Sequence, residues 1–212
     1  MESLYIALIG DIIKSRSINN RNEIQLKLED IFTRVNAKYE QFIVSKFLIT
    51  IGDEFQGLLK PSAPIYEIIY TIVEPLYPIQ VRFGLGLGVI TTPLKEMALG
   101  MDGPAFYLAR ESLKVAHEKK GHAIVFKSDI LDKVAEDAIN MMFGSLAVIR
   151  KLWPESFWEI LPYLRMGKTQ NEIASLIKVT QPYISKLIKS ACWKEVETLE
   201  EQLAHLLKTY LG

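Results

Sequence analysis

The stretch VRFGLGLGVI, residues 81–90, constrains this chain more than any other. Its apolar residues alternate with Gly84, Gly86 and Gly88, and at the two-residue period of a β-strand all three glycines fall on one face. Glycine weakens a strand, because it costs backbone entropy and offers nothing to pack. A strand stripped on one face therefore implies that another backbone or a ligand lies close against it.

Other segments supply the partners. Residues 4–9 form a short apolar run ended by Gly10-Asp11, as expected of a central strand whose carboxyl end meets a polar site. At residues 22–44 the apolar positions Ile24, Leu28, Ile31, Val35, Tyr39 and Phe42 recur at three- and four-residue intervals, which predicts a long amphipathic helix. Residues 47–59 read as a β-hairpin. Pro61, Pro64 and Pro75 bracket a helix at 65–73. A helix at 105–118, a strand at 122–126 and a helix at 129–142 follow. The order β, α, β-hairpin, α, β, α, β, α predicts an α/β sandwich on a mixed sheet. With 212 residues and 49% hydrophobic content, the chain can bury such a core.

Beyond residue 144 the strand signal ends. Helical segments are expected at 145–153 and 157–164, on either side of Pro154. In KTQNEIASLIKVTQPYISKLIKSA, one short helix presents Ile173, Ala174 and Ile177. Lys178-Val179-Thr180 connects it to a second, capped by Thr180, with Pro182 in its first turn and Ile184, Leu187 and Ile188 facing inward. This is the pattern of a helix-turn-helix. Val196, Leu199, Leu203, Leu206 and Tyr210 then trace a short heptad seam that suits either packing on the chain's own core or a dimer coil.

Charge is partitioned along the chain although it sums to zero. Residues 165–194 carry a net +5, against −2 for 1–164 and −3 for 195–212. A basic block over the helix-turn-helix points to a polyanion there. DNA is the expected partner, with Gln181, Tyr183 and Ser185 near base edges and Lys186 and Lys189 on phosphates. A solvated helix face is the alternative. The single cysteine, Cys192, excludes an internal disulfide and suits a reducing compartment. The opening MESLYIALIGD reads as a buried strand rather than a leader. A cytoplasmic protein with no membrane partner is expected.

The acidic candidates are Asp11, at the end of the first strand, and Asp53, at the hairpin tip. If the hairpin lies beside the first strand, both carboxylates reach one edge of the sheet, where Mg²⁺ or Mn²⁺ accepts oxygen ligands and bridges phosphates. The alternative is a turn residue at Asp53 and a helix cap at Asp11. Lys14 and Arg16 lie close enough to meet a polyphosphate, or else form an exposed basic turn. Asp102 and Gly103 stand before a helix whose N-terminus favours phosphate, or else form an ordinary turn with Pro104. Arg82 reads as a strand-edge charge, His117 and His122 as surface histidines, and Trp153, Trp158 and Trp193 as core.

Four stretches occur in the order seen in class III nucleotidyl cyclase catalytic domains, whose fold is shared more distantly by GGDEF diguanylate cyclases: GDIIKSR (10–16), TIGDEFQ (50–56), VRFGLGLGVI (81–90) and GPAFYLARESLKVA (103–116). The resemblance covers residues 4–126. It implies that Asp11 and Asp53 are the paired metal-binding aspartates, that Ile12 offers a backbone carbonyl to one metal, and that Arg110 matches the transition-state arginine. Phe106 replaces the family's asparagine and Ile49 its base-selecting lysine. Each lost donor costs about 10²-fold or more in rate, so cyclisation is not expected while metal–phosphate binding is. The whole chain resembles the SatD family more closely, through IALIGDIIKSR, GDEFQGLL and GMDGPA.

The resulting expectation is an α/β (α+β) mixed-sheet, nucleotidyl-cyclase-like (ferredoxin-like) sandwich over 1–143 with a small all-α helix-turn-helix domain over 144–212. It would act as a homodimeric regulator that binds a nucleotide or phosphorylated ligand through Mg²⁺ or Mn²⁺ and also binds DNA. A metal-dependent nucleotidyl-transfer or phosphohydrolase enzyme, with Arg110 as its catalytic residue and the C-terminal helices serving assembly, is the rival. A third possibility is a dimerisation scaffold.

Overall fold

The strand from Leu4 to Ile12, β1, is the middle of a five-stranded sheet and carries side chains buried on both faces. The computed structural model describes residues 3–15, 20–118 and 123–211. The sheet order is β2-β3-β1-β4-β5, with β2 at Ile43–Ile49, β3 at Phe55–Leu59, β4 at Val81–Val89 and β5 at Ile124–Ser128. All neighbours are antiparallel except β4 and β5, so the sheet is mixed. The β2–β3 hairpin is present and lies beside β1 through β3, pairing Gly10 with Phe55.

One face of the sheet takes Ile6, Leu8 and Ile12 of β1. These pack in one cluster with α1 (Arg21–Lys38), α2 (Ile65–Val73) and apolar residues of the C-terminal helices. The first helix is shorter than its periodicity suggests, because Glu40–Phe42 tightens into a 3₁₀ turn and Ile43 already belongs to β2. The other face takes Ala7 and Ile9, which pack with Ala105, Phe106, Ala109 and Leu113 of α3 (Pro104–Glu118).

That helix is what the glycine stripe accommodates. A Cβ on Gly84 would sit 2.1 Å from the carbonyl oxygen of Ala109, and one on Gly86 2.2 Å from that of Ala105. The helix answers with its own small residues at helical spacing, Ala105, Ala109, Ser112 and Ala116, all buried. Ser112 donates its hydroxyl to the Leu85 carbonyl at 3.0 Å. Two backbones are thus in contact where side chains would normally separate them.

The C-terminal part begins inside α4, which runs unbroken from Lys133 to Lys151. The helices expected at 129–142 and 145–153 are therefore one, and residues 143 and 144 lie in its interior. It is followed by α5 (Glu155–Arg165), α6 (Gln170–Leu176), α7 (Gln181–Ser190) and α8 (Trp193–Leu211). The buried seam of α8 is Trp193, Val196, Glu200, Leu203, Leu207 and Leu211, with Tyr210 exposed, so the last helix packs on the chain's own core.

A buried polar residue on that seam needs partners, and Glu200 accepts four hydrogen bonds from three residues. Arg150 of α4, only 5% exposed, donates Nη2 to Glu200 Oε1 (2.6 Å) and to the Tyr66 hydroxyl (3.0 Å), and Nη1 to Glu74 Oε1 (3.2 Å). Its guanidinium lies 3.4 Å from the Tyr70 ring centroid. Arg165 closes the network, with Nη1 on Glu200 Oε2 (2.7 Å) and Nη2 on Glu74 Oε1 (2.9 Å). The Tyr66 hydroxyl also donates to Glu200. Two cations and two anions cancel, and they join the end of α2 to α4, α5 and α8.

Such a network adds little stability relative to a well-packed apolar one, but removing one member strands a buried charge. Burial pushes the Glu200 carboxyl up. The hydrogen bond from Arg165 and the charges of Arg150 and Arg165 outweigh burial and hold it below its ordinary range. Glu200→Gln is therefore expected to cost about 3 kcal/mol in urea unfolding at neutral pH. A group depressed in the native state contributes stability above its unfolded pKa and loses it as pH falls through the native one. The gap between wild type and variant should accordingly narrow in acid.

Candidate functional site

The carboxyl end of β1 meets the amino end of β4 across an antiparallel ladder, which sets Asp11 opposite Arg82. The two side chains form a bidentate pair, Arg82 Nε to Oδ1 at 3.0 Å and Nη2 to Oδ2 at 2.9 Å, each side chain 15% exposed. From the end of α3, His117 brings Nε2 to 2.8 Å from the same Oδ2. Arg82 is more than the expected strand-edge charge, and His117, exposed as a surface histidine should be, also reaches Asp11. Both hold the one carboxylate.

The hairpin tip brings the second carboxylate to this edge. Gly52, at φ +67°, turns the chain, and Glu54 N–H donates to the Ile51 carbonyl. Asp53 Oδ2 then accepts the backbone N–H of Ile12 at 3.2 Å. So Asp53 lies on the β3 side of β1, while Asp11 is drawn toward β4. Asp11 is not a helix cap, since Asn20 occupies that position before α1. Lys14 follows in an exposed turn with φ +57°. Arg16 and His122 lie outside the described residues.

The α3 end of the motif is arranged differently. The Asp102 carboxylate accepts from its neighbour's Gly103 N–H (3.0 Å) and from the Tyr107 hydroxyl (2.7 Å), the latter bond raising the tyrosine pKa. Gly103, at φ +148°, is packed so that a Cβ would meet the Val89 carbonyl at 2.7 Å. The N–H of Gly103 is thus already taken by a carboxylate. Phe106 is buried in the α3 face of the core. Arg110 is exposed, seven residues before His117 and hence on the same face of α3, about 10 Å along the helix.

Among the described residues, no group of three or more His, Cys, Asp or Glu side chains is placed to hold a metal ion. The donor chemistry of Asp11 and Asp53 nevertheless suits a hard divalent cation, which binds proteins through as few as one or two carboxylates and completes its shell with water and phosphate. Such an ion would compete with Arg82 and His117 for Asp11.

At the other end of the molecule, α6 and α7 are joined by four residues, with Lys178 at φ +58° making the turn. The first helix has a full capping box between Thr169 and Glu172. Thr180 stands at the start of the second without a side-chain cap bond, where a cap was expected; Pro182 is in the first turn. Ile173, Ala174, Ile184, Leu187 and Ile188 are buried as the pattern requires. Gln181, Tyr183, Lys186 and Lys189 are exposed and Ser185 half-buried, and Gln181 Nε2 donates to Gln170 Oε1 at 2.6 Å. No described helix is long and apolar enough to cross a membrane.

Comparison with known proteins places this geometry in context. The model of the SatD family matches residues 5–206. No curated protein matches the chain. Among solved structures, a bacterial light-regulated adenylyl cyclase is 19% identical with a TM-score of 0.44, over 59% of this chain and 76% of that one. The guanylate cyclase domain of RhGC from Catenaria anguillulae, solved in complex with GTP, is 16% identical with a TM-score of 0.42, over 53% and 73%. A regulator of polyketide synthase expression from Bifidobacterium adolescentis is 13% identical with a TM-score of 0.30, over 99% and 86%.

The Asp11–Arg82 pair supports a direct check. Asp11→Asn leaves a part-buried guanidinium without its anion and should lower stability by about 2 kcal/mol in urea. Combining Asp11→Leu with Arg82→Met should cost less than the two single changes added together, as a double-mutant cycle measures.

Proposed function

The chain belongs to the SatD family, and from that premise we propose that it is a cytoplasmic regulator in which a phosphate-ligand site at the sheet edge is coupled to DNA binding by the C-terminal helices. The observation that carries the ligand site is the placement of Asp53 on the Ile12 N–H, beside Asp11, by the hairpin next to β1. In this proposal Asp11 and Asp53, with the Ile12 carbonyl, hold Mg²⁺ or Mn²⁺. The ion supplies charge neutralisation for the phosphates of a nucleotide or other phosphorylated ligand. Arg82 and His117, which contact Asp11, would lie within reach of the same anion, and Lys14 lies in the adjoining turn.

The buried Phe106 offers no polar atom to orient a ribose, which supports a binding role over cyclisation. One observation keeps an enzyme in view as the second reading: Arg110 shares its helix face with His117, so a divergent phosphohydrolase or nucleotidyl transferase would have a cation for developing charge. Calorimetric titration of ATP with Mn²⁺ is expected to show binding that needs the metal and is lost in Asp53→Ala. Unchanged binding in that variant overturns the metal assignment, and turnover that disappears with it selects the enzyme.

For the C-terminal helices, we propose that 144–212 acts as a helix-turn-helix unit, with α7 entering a major groove of DNA as one half of a homodimer. The exposed Gln181, Tyr183, Lys186 and Lys189, with the half-buried Ser185, sit on a segment of net +5, which supports this. Replacing Lys186 and Lys189 with alanine should weaken binding of genomic fragments and reduce the slope of log affinity against log salt by roughly 2. An unaltered slope rules out α7 as the phosphate-contacting helix.

A further inference from the structure

Between the sheet edge, the end of α3 and helices α4 and α5 lies a cleft of about 550 Å³, a size that holds small organic ligands. We propose that this cleft is a binding site for a small molecule with a planar aromatic body and one anionic group. The site is separate from the metal edge formed by Asp11 and Asp53, although Arg82 and His117 border both.

The lining specifies the two halves of that ligand. Tyr70, Tyr77, Trp153 and Trp158 contribute aromatic surface. Trp158 stacks on Tyr77 with centroids 4.5 Å apart and planes at 11°, and it stands edge-on to Trp153 at 5.2 Å. Flat faces and edges in this arrangement favour a ring that can stack or stand against them. The titratable lining side chains other than tyrosine are all basic: Arg82, His117, Arg150 and Lys151, with no Asp or Glu among them. Lys151 forms no ion pair among the described residues, so it brings an uncompensated positive charge to the rim.

Arg150 lines the cleft but is held within its own network. Its two terminal nitrogens are committed to Glu74, Glu200 and Tyr66, but Nε is buried with no acceptor among the described residues. A buried donor left unmade costs about 1–3 kcal/mol. That atom is closed off from the cleft, so an anionic group bound there would meet Lys151 at the rim instead. Arg82, His117 and Arg150 already face acids of their own, so the aromatic walls together with the unpaired Lys151 select an aromatic anion over a neutral or cationic ring.

The probe pair 8-anilinonaphthalene-1-sulfonate and N-phenyl-1-naphthylamine differs only by the sulfonate. Titrated into the full chain, the anionic dye is expected to bind at one per chain, with energy transfer from tryptophan, and at least about tenfold more tightly than the neutral one, the lower end for a charge-assisted hydrogen bond. Lys151→Glu, an exposed change, should weaken the anionic dye about tenfold and leave the neutral dye unaltered. Ala147→Trp, which fills the cleft, should abolish binding while circular dichroism verifies its fold. Equal affinity for the two dyes, or anionic-dye binding indifferent to both substitutions, overturns the proposal. Asp53→Ala should bind the dye as wild type does, so failure here and failure of the metal site are read separately.

Discussion

The contact between α3 and β4 sets the geometry on which the Asp11 edge depends. With three glycines on the strand and four small residues on the helix, the backbones meet without intervening side chains. That closeness brings the last turn of α3 down to the end of β1, where His117 reaches Asp11. A bulkier residue at Gly84 or Gly86 would lift the helix off the sheet, and the histidine with it, because overpacking a tight interface displaces backbone before it compresses atoms.

A second constraint is electrostatic and ties α2 to the C-terminal helices. Arg150 is buried among Tyr66, Tyr70, Glu74 and Glu200, with Arg165 balancing the second acid. Apolar contacts alone allow helices to slide by small amounts. A charge network with fixed donor directions does not, so it specifies how α2, α4, α5 and α8 meet. The aromatic cleft lies against one side of that network and the helix pair α6–α7 follows on from it in the chain.

Much of the fold was legible from residues 1–126. Strand period, proline brackets and the glycine stripe each had a local cause, and they placed the sheet strands, the hairpin and a close neighbour, backbone or ligand, on the glycine face. What escaped had long-range causes. Arg82 and His117 looked like isolated charges because their partner, Asp11, is distant in sequence; only the antiparallel pairing of β1 with β4 makes 11 and 82 neighbours. A signal did exist, since the charge that closes one apolar run and the charge that opens its antiparallel partner must end up side by side. The unbroken α4 was hidden by Gly144 and Ser145, weak helix formers that tertiary packing overrides. Glu200 was passed over because a carboxylate on a buried seam cannot be told from a surface one until its arginines are in place.

The pairing of Asp11 with Arg82 also determines how the sheet edge discriminates between solutes. A lone cation drawn to the carboxylate must displace a guanidinium and leave it uncompensated in a partly dry environment, and a lone anion drawn to the arginine leaves the carboxylate in the same position. A cation and an anion arriving together exchange one balanced pair for two. In the proposed site, such an edge would favour a cation and an anion arriving together over either ion, each raising the affinity for the other by the same factor. Selectivity of this kind comes from the protein carrying its own counter-ion, and it requires no change of shape.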